Sequence, residues 1–383
     1  MTRTRIFLLV TAVLCAAGLG RAGSADAAEL FYGVDTENRL VSFTSDTPAA
    51  ISRSSFTGLP AGEQIVGLDQ RPANKQLLGL SSASRLYRID VATGAVTAVG
   101  TAPFAPALAG TSFGFDFNPT VDRIRITSEA RQNLRAHPDT GAIAFVDGVL
   151  TYAAGDSGAA STPRVVGSAY TNSVAGATTT TLFDIDAGRD FLAIQNPPNA
   201  GTLVSVGALG VDAGDNAGFD ISAVDGVAYA ALQVSPSLSS GLYRINLTTG
   251  AATLAGRIGG GTALRALAAV GTAPADTTTP TLGIATSYSS KVGTLLRSGV
   301  TVRATCSESC AITTRILLGA RQIGGGRTIT TDLAGTTSLK VGFTTAAKKQ
   351  YARNRTLTLS LVVTARDAAG NTVTRRTTLR SRR

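Results

Sequence analysis

Tryptophan is absent from this sequence of 383 residues, and histidine and methionine occur once each. A Ser-His-Asp or Cys-His triad needs a histidine base, and the single candidate, His137, lies beside Pro138 in a predicted turn. The zinc pattern H-E-x-x-H and glycine-rich phosphate-binding loops are also missing. The lack of tryptophan argues against the stacked indoles of quinoprotein propellers and the tryptophan-bearing repeats of sialidases. The composition therefore disfavours several large enzyme classes.

Long apolar runs are equally scarce, and the longest, Ile6–Ala17, is too short to span a bilayer, which takes about 20 residues. It follows the basic residues Arg3 and Arg5 and precedes Ala25-Asp26-Ala27, the order typical of a secretory signal peptide. We expect residues 1–27 to be this signal, with no transmembrane segment after it. The mature chain is predicted to be secreted or associated with the cell envelope, and to be a monomer.

Three cysteines are present, and one of them, Cys15, lies in the predicted signal. The remaining pair, Cys306 and Cys310, is predicted to form a disulfide, because close pairs outside the cytoplasm are usually oxidised. A zinc site would need further Cys or His ligands.

Acidic residues are few in the C-terminal part of the chain. The net charge of +10 divides unevenly: from Pro274 onward there are 17 Lys+Arg against 4 Asp+Glu, whereas residues 28–273 have 15 against 20. We consider two interpretations of the basic tail, namely attachment to an anionic envelope polymer or phospholipid and a solvated, disordered terminus. Nucleic acid fits poorly, because the compartment is wrong and few aromatic residues are interleaved. The tail residues are Arg375, Arg376, Arg380, Arg382 and Arg383.

Residues 28–273 are built from a repeat. Its units open with a strand containing a G-x-D step, and the step glycines Gly67, Gly114, Gly167 and Gly218 are separated by 47 to 53 residues. Three further alternating strands with Asx/Gly turns follow in each unit, which predicts four-stranded sheets arranged radially as a β-propeller.

The ends of the repeat region suggest that the propeller is closed. A lone strand at 264–270 matches the first strand of a unit, and the segments at 29–34, 38–43 and 50–56 match the other three. Pairing the two ends would complete a fifth blade and remove free sheet edges. We predict five blades, with six as the alternative if residues 142–163 contain extra strands.

Several segments of this region resemble a bacterial family catalogued as domain of unknown function 4394. They are GFDFNPTVDRIRI (114–126), QNLRAHPDTGA (132–142), LFDID (182–186) and QNPPNAGTLVSVG (195–207). The resemblance covers roughly residues 29–271. It implies a secreted propeller-like domain and no established activity.

A second domain follows a polar linker at 274–280. Seven strand-like segments separated by turns in residues 281–383 predict a β-sandwich. The opening DTTTP and the segment RDAAGNT resemble bacterial immunoglobulin-like modules, which commonly serve as spacers or adhesive domains.

Three aspartates at equivalent repeat positions, Asp69, Asp116 and Asp220, are candidate ligands of a metal ion. On the innermost strands they would converge on the propeller axis, where carboxylate oxygens suit Ca²⁺. A carboxylate pair there could instead act as the acid and base of a glycosidase. The simpler interpretation is that each aspartate caps a strand end through its own backbone. We otherwise expect no cofactor.

Polar residues that depart from the repeat are the second candidate site, because such additions often bind ligands on one face of a propeller. Turn formation by the Asn-Pro motifs is the alternative, and for Arg123 and Arg125 so is an ion pair with a neighbouring blade. The candidates are Asn118, Asp122, Arg123, Arg125, Gln132, Asn133, Arg135, Gln195 and Asn196. Tyr87 and Tyr243 recur at one repeat position and are expected in the core.

The sequence therefore predicts an all-β, exported binding module that is non-catalytic. Its expected ligand is a cell-surface polymer, glycan or protein bound through the propeller. The alternative is a carboxylate-dependent glycosidase or lyase acting in the propeller channel.

Overall fold

The computed structural model describes residues 28–272, 279–308, 310–331, 335–367 and 371–383. The predicted signal peptide, 1–27, and most of the predicted linker, 274–280, lie outside these ranges. The described chain is all-β, with two short α-helices and one 3₁₀ turn, Pro198–Ala200.

Twenty-one strands form between residues 29 and 272, and they follow the alternating segments of the sequence. In chain order they are β1 Glu29–Asp35, β2 Arg39–Thr44, β3 Ser52–Ser55, β4 Ile65–Gln70, β5 Leu77–Ser81, β6 Arg85–Ile89, β7 Val96–Val99, β8 Phe113–Asn118, β9 Arg123–Ser128, β10 Asn133–Ala136, β11 Ile143–Val146, β12 Thr151–Tyr152, β13 Val165–Tyr170, β14 Leu182–Asp186, β15 Phe191–Gln195, β16 Thr202–Ala208, β17 Ala213–Ile221, β18 Ala228–Val234, β19 Ser240–Ile245, β20 Ala252–Arg257 and β21 Leu264–Thr272.

These strands form five sheets, which we number by their first strand along the chain. Sheet 1 has the order β21-β1-β2-β3, sheet 2 β4-β5-β6-β7, sheet 3 β8-β9-β10-β11, sheet 4 β13-β14-β15-β16-β12 and sheet 5 β17-β18-β19-β20. The stretch 142–163 supplies β11 to sheet 3 and the two-residue β12, which pairs parallel with β16 at the edge of sheet 4. Among the described residues it forms no separate sheet.

The strand that opens the repeat unit in each sheet lies against its counterparts in a cycle. We call these the first strands, and in sheets 1 and 4 they are β21 and β13. Contacts run from β4 to β8, β13, β17 and β21, and from β21 back to β4. Apolar clusters fill the interfaces between sheets 1 and 2, 2 and 3, 4 and 5, and 5 and 1. Tyr87 lies in the cluster between sheets 1 and 2, and Tyr243 in that between sheets 4 and 5, as expected for core residues.

The two ends of this region meet in sheet 1. Strand β1 pairs antiparallel with β21 in the register Tyr32 to Ala268 and Val34 to Ala266. Glu29 adds side-chain bonds, since its carboxylate accepts from Ser222 Oγ at 2.8 Å and from the Gly271 amide at 2.7 Å. The predicted pairing of the terminal segments is therefore present.

Glycine in the G-x-D step permits the close approach of neighbouring first strands. A Cβ on Gly67 would lie 2.7 Å from Phe115 Cβ, and one on Gly114 would lie 2.2 Å from Ser168 Oγ. Neither residue has a positive φ, so the requirement is steric room between the sheets.

The C-terminal region consists of two sheets around one apolar core. Its elements are β22 Leu282–Ser287, α1 Val292–Ser298, β23 Val300–Cys306, β24 Cys310–Leu318, β25 Arg321–Thr331, β26 Gly335–Val341, α2 Thr345–Tyr351, β27 Thr356–Arg366 and β28 Thr372–Arg382. Sheet 6 has the order β22-β23-β26 and sheet 7 the order β25-β24-β27-β28. The seven predicted strands are thus present, whereas the two helices were not predicted. The disulfide Cys306–Cys310 is confirmed, and it joins the end of β23 to the start of β24.

Candidate metal centre and binding surfaces

Three carboxylates come together from β4, β8 and β17, which are strands of sheets 2, 3 and 5 that belong to the cycle described above. Asp69, Asp116 and Asp220 each follow their step glycine by two residues, so they project from the same side of their strands as that glycine position. One carboxylate oxygen from each residue lies within 4.8 Å of the other two. All three side chains are buried, with exposed fractions of 5%, 1% and 3%. We call this cluster the axial triad.

Each aspartate of the axial triad also bonds the backbone of the next sheet. Asp69 Oδ2 accepts from the Phe117 amide at 2.8 Å, Asp116 Oδ1 from the Tyr170 amide at 3.2 Å, and Asp220 Oδ2 from the Ala269 amide at 2.6 Å. Asp69 and Asp220 further accept from the amides of the residues that follow them, at 2.6 Å each. The backbone-capping interpretation therefore holds for those two residues, and all three carboxylates join neighbouring sheets.

One oxygen of the triad differs from the rest. Asp116 Oδ2 is buried and has no hydrogen-bond partner among the described residues. Burial raises the pKa of Asp116 well above its ordinary value, and the nearby charges of Asp69 and Asp220 raise it further. The pKa values of Asp69 and Asp220 are raised as well, in both cases chiefly by burial. Three acidic groups thus share a dry site in which their charged forms are disfavoured.

The space along the axis is small. A cavity of about 10 Å³ lies between the same strands, lined by Gly67, Gly114, Gly218 and their neighbours and by none of the three aspartates. Such a volume holds roughly one water molecule and cannot admit a sugar ring.

The polar residues outside the repeat lie mainly at the interface between sheets 3 and 4, and Arg125 is their centre. Its side chain is 1% exposed. Its guanidinium donates to Asp147 at 2.6 Å, to Asn133 Oδ1 at 2.7 Å, to Asn199 Oδ1 at 2.9 Å and to Tyr170 Oη at 3.2 Å. An ion pair therefore accounts for Arg125, with its carboxylate partner in the loop that follows β11.

Other members of the predicted set extend this network. Arg135 pairs with the same carboxylate, Asp147, at 2.7 Å. Asn133 donates to the carbonyls of Gly148 and Pro198, and Gln195 donates to the Pro198 carbonyl at 2.5 Å. The side chains thus hold the loops at 147–149 and 196–201 in place, which leaves them little capacity for an external ligand.

The remaining predicted residues are mostly engaged in turns and loops. Asp122 pairs with Arg71 of sheet 2, which also donates to Asp139 at 2.6 Å. Asn118 Oδ1 accepts from the Thr120 amide at 3.0 Å. Gln132 bonds the backbone of the loop before β8 through Ala107 and Ala109.

Two residues of the set are less constrained. Arg123 is half-buried and donates only to backbone carbonyls beside it, those of Val121 and Asp122. Asn196 is exposed, and its backbone amide bonds the Thr202 carbonyl at 2.7 Å. The structure therefore gathers Arg125, Asn133, Arg135 and Gln195 into one network and does not bring all nine residues together.

A different surface carries unpartnered charge, the outer face of sheet 7. Residues of β28 alternate, with Leu379 and Ser381 buried and the arginines between and before them exposed. In register, Arg315 of β24 lies opposite Val362 of β27, which lies opposite Arg376 of β28. The arginines on this side of the sheet are Arg315, Arg366, Arg376, Arg380 and Arg382, and we call them the basic face.

Hydroxyl groups lie between these arginines. Thr313 bonds Thr328 at 3.1 Å and Thr364 bonds Thr374 at 3.0 Å across the strands. Among the described residues, no ion pair involves an arginine of the basic face. The carboxylate nearest along the chain, Asp367, is buried and accepts from Asn371.

The predicted basic tail is therefore divided by the structure. The expectation of a disordered terminus is wrong, because β28 is paired with β27 through Arg382. Arg376, Arg380 and Arg382 lie on the basic face, whereas Arg375 is on the other side and donates to the Leu282 carbonyl at 3.3 Å. Arg315 and Arg366 were missed, although the alternation of β24 and β27 in the sequence places both outward.

The model of a family described as Domain of unknown function (DUF4394) matches residues 39–268. The chain belongs to this family. The match covers sheets 1 to 5 except their terminal segments, and it agrees with the resemblance carried by the motifs at 114–126 and 195–207. The axial triad and the Arg125 network lie within the matched residues, and the basic face lies outside them.

Comparisons with individual proteins are much weaker. No curated protein matches the chain. The extracellular domain of a putative hybrid two-component system from B. thetaiotaomicron is 10% identical, with a TM-score of 0.35 over 94% of this chain, which spans 57% of that domain's length. A Lactobacillus plantarum protein is 17% identical (TM-score 0.34; 91% and 96% covered), and a glycoside hydrolase is 8% identical (TM-score 0.40; 83% and 90% covered). Such values are too low to support a statement on fold or activity.

Within the described ranges, no helix has the length and apolarity needed to cross a membrane.

Proposed function

We propose that this protein is an exported, non-catalytic module that attaches to an anionic polymer of the cell envelope through the basic face of sheet 7. In this proposal sheets 1 to 5 are the blades of a closed five-bladed propeller, and sheets 6 and 7 form an immunoglobulin-like sandwich. The cycle of contacts among the first strands supports five blades. The three-stranded and four-stranded sheets around one core support the sandwich.

The observation that carries the proposal is the arrangement of the basic face. Five arginines project from three adjacent strands, with threonine hydroxyls between them and no described carboxylate paired to them. Arg376 and Arg382 are six residues apart on one strand, roughly 20 Å, so a linear polymer lying along β28 can meet several arginines. The guanidinium group suits phosphate and carboxylate because it donates two parallel hydrogen bonds.

A polymer fits this surface better than a bilayer does. The large exposed apolar side chains of the described residues, such as Leu238 and Val146, all lie before residue 273 and therefore outside the basic face. Attachment to a membrane surface is usually strengthened by apolar groups that enter the headgroup region. The basic face offers chiefly charge and hydroxyl groups, since Val362, which lies between Arg315 and Arg376, is 8% exposed.

Catalysis in the propeller channel receives little support. A glycosidase needs its carboxylates open to the sugar, with about 5 Å or more between them. The carboxylates of the axial triad are buried, and they do not line the cavity of about 10 Å³ between the same strands. We therefore do not extend the proposal to hydrolysis.

The test uses residues 28–383 and measures binding to immobilised dextran sulfate, with uncharged dextran as the blank. Replacing Arg376, Arg380 and Arg382 by Gln should weaken binding by about 100-fold at low salt, because each cation near an anionic surface contributes about 1 kcal/mol. Binding by the unmodified chain should also fall steeply with added salt.

The matched control removes three charges elsewhere in the same domain, by replacing Lys348, Lys349 and Arg353 with Gln. These residues are exposed on and after α2. Equal losses in the two triple variants would show that total charge matters and the face does not, which contradicts the proposal. Tighter binding to phosphatidylglycerol vesicles than to the polymer, or release of reducing sugars from envelope polysaccharide, would also contradict it.

A further inference from the structure

We infer that the axial triad of Asp69, Asp116 and Asp220 binds one Ca²⁺ ion that ties the five sheets together. This inference concerns the interior of the repeat domain and does not depend on the proposed role of the basic face. It rests on the convergence of the three carboxylates and on the unpartnered oxygen of Asp116.

The charges of the three carboxylates favour a bound cation. Three carboxylates lie within 4.8 Å of one another, and all three are buried. Arg125 lies opposite Asp116 in the strand register, but its guanidinium pairs with Asp147, and among the described residues no ion pair involves a triad carboxylate. Buried charges are normally paired or bound to a metal ion, and in the described part of the chain no cation is paired with the triad.

The unpartnered oxygen Asp116 Oδ2 is available to a bound ion. Asp116 is 1% exposed, and its Oδ2 has no donor among the described residues, whereas its Oδ1 is held by the Tyr170 amide. A buried acceptor without a partner loses the hydrogen bonds that water would provide. A proton held between Asp116 and Asp220 would also satisfy this oxygen, and in that case the chain would bind no Ca²⁺, an outcome that the test below distinguishes.

The ligand atoms favour Ca²⁺ over other ions. The site offers carboxylate oxygens and no nitrogen or sulfur ligand, which favours a hard cation. Ca²⁺ binds oxygen at about 2.3–2.6 Å, so two ligands on opposite sides of the ion lie about 4.6–5.2 Å apart, and oxygens within 4.8 Å of one another suit it. Ca²⁺ takes about six to eight oxygen ligands, so bidentate carboxylates and bound water would supply those beyond one oxygen from each aspartate.

A bound ion would connect all five sheets of the repeat domain. The triad residues come from sheets 2, 3 and 5, and their carboxylates hold backbone amides of Phe117 in sheet 3, Tyr170 in sheet 4 and Ala269 in sheet 1. An ion bound to all three would therefore join the first strands of all five sheets. Its main effect should be on stability, since the site is closed to a substrate.

The test compares residues 28–383 after EDTA treatment with and without 10 mM CaCl₂ by thermal unfolding, and measures bound calcium at equilibrium by dialysis against radiolabelled CaCl₂. With a dissociation constant near 10⁻⁴ M, typical of extracellular calcium modules, we expect the melting temperature to rise by at least about 5 °C. About one Ca²⁺ per chain should be bound. Asp116→Asn should abolish both effects while it keeps the acceptor for the Tyr170 amide.

The matched control is Asp184→Asn. Asp184 is also fully buried with one unpartnered oxygen, but it lies outside the axial triad. It should retain the calcium response. If Asp116→Asn does not fold, Asp220→Asn and the calcium content of the unmodified chain provide the same test. A chain that binds no Ca²⁺, an undiminished response in Asp116→Asn, or a larger response to Mg²⁺ would overturn the inference.

Discussion

At the scale of single residues, this domain buries an unusual set of polar side chains at one interface. Apolar clusters join four pairs of neighbouring sheets, whereas the interface between sheets 3 and 4 contains Arg125 and its partners. Thr127 and Ser168 also bond across it at 2.6 Å, and Ser168 donates to Asp184 at 2.5 Å. The polar residues that depart from the repeat therefore replace apolar packing at this one interface.

Asp184 gives this interface a pH-dependent contribution to stability. Burial raises its pKa to about 7, although the hydrogen bond from Ser168 and the charge of Arg125 oppose the shift. Because the folded-state pKa is raised, the folded protein holds a proton that the unfolded chain releases near pH 4. The associated stability is present below about pH 4 and is lost as the pH rises toward 7.

We therefore expect the melting temperature of the unmodified chain to exceed that of Asp184→Asn by less at pH 7 than at pH 4. The comparison uses thermal unfolding in EDTA, so that bound calcium does not contribute. A difference that stays constant over this range would show that Asp184 does not titrate there.

Sequence reasoning identified these residues but not their role. Gln195 and Asn133 lie more than 60 residues apart, and both donate to the carbonyl of Pro198. A single sequence shows that such residues depart from the repeat, but it does not show whether their partners are internal groups or a ligand. The convergence of the axial-triad aspartates could be predicted, because their position after a repeated glycine puts them on equivalent strands.

At the scale of elements, the crossover between sheets 6 and 7 is short and closed by a disulfide. Strand β23 ends at Cys306 in sheet 6, and β24 begins at Cys310 in sheet 7, so the bond spans the loop where the chain changes sheets. Both cysteines are buried at the edge of the shared core. The disulfide stabilises the domain little through the entropy of the unfolded chain, because the loop that it closes is short.

Replacing both cysteines by serine should lower the free energy of unfolding of the C-terminal domain by less than about 3 kcal/mol. Chemical denaturation of the oxidised chain, the reduced chain and the double variant measures this loss. A domain that no longer folds would indicate that the loop conformation itself is essential to the sandwich.

The alternation of β27 and β28 explains why the basic face could be predicted only in part. Period-two alternation separates Leu379 and Ser381 from Arg380 and Arg382 along one strand. The neighbours of that strand are set by pairing over longer distances, and these bring Arg315 and Arg366 to the same surface. Alternation within one strand does not specify which strands pair. The sequence therefore predicts a basic tail but not the full set of arginines that share its surface.

At the scale of the whole molecule, stability of the repeat domain depends on joining its two ends. Phe31 of β1 is fully buried and packs on Phe43 at 5.3 Å and on Tyr229 of sheet 5 at 4.9 Å between ring centroids. It therefore links the N-terminal strand to both sheet 1 and sheet 5. Loss of this contact should weaken the closure of the domain as well as the local core.

We expect Phe31→Ala to lower the free energy of unfolding of the repeat domain by about 3–5 kcal/mol. The control is Phe145→Ala, at a side chain that is 53% exposed on the edge strand β11 and stacks on Arg135, and it should cost less than about 1 kcal/mol. Thermal unfolding and limited proteolysis distinguish the two. Equal effects would mean that closure by β1 has no special importance.

The amino-acid sequence alone determined the all-β class, the repeat of four strands, the terminal segments that pair, the seven strands of the second domain and the cysteine pair. These features depend on local alternation, turn residues and spacing, which one chain displays directly. Tertiary structure decided that the polar residues around Arg125 bond one another, that Arg315 and Arg366 join the arginines of β28, and that the oxygens of the axial triad approach within 4.8 Å. Those outcomes depend on contacts between segments far apart in the chain, which are set by strand pairing in sheet 7 and by the packing of sheets 1 to 5 against one another.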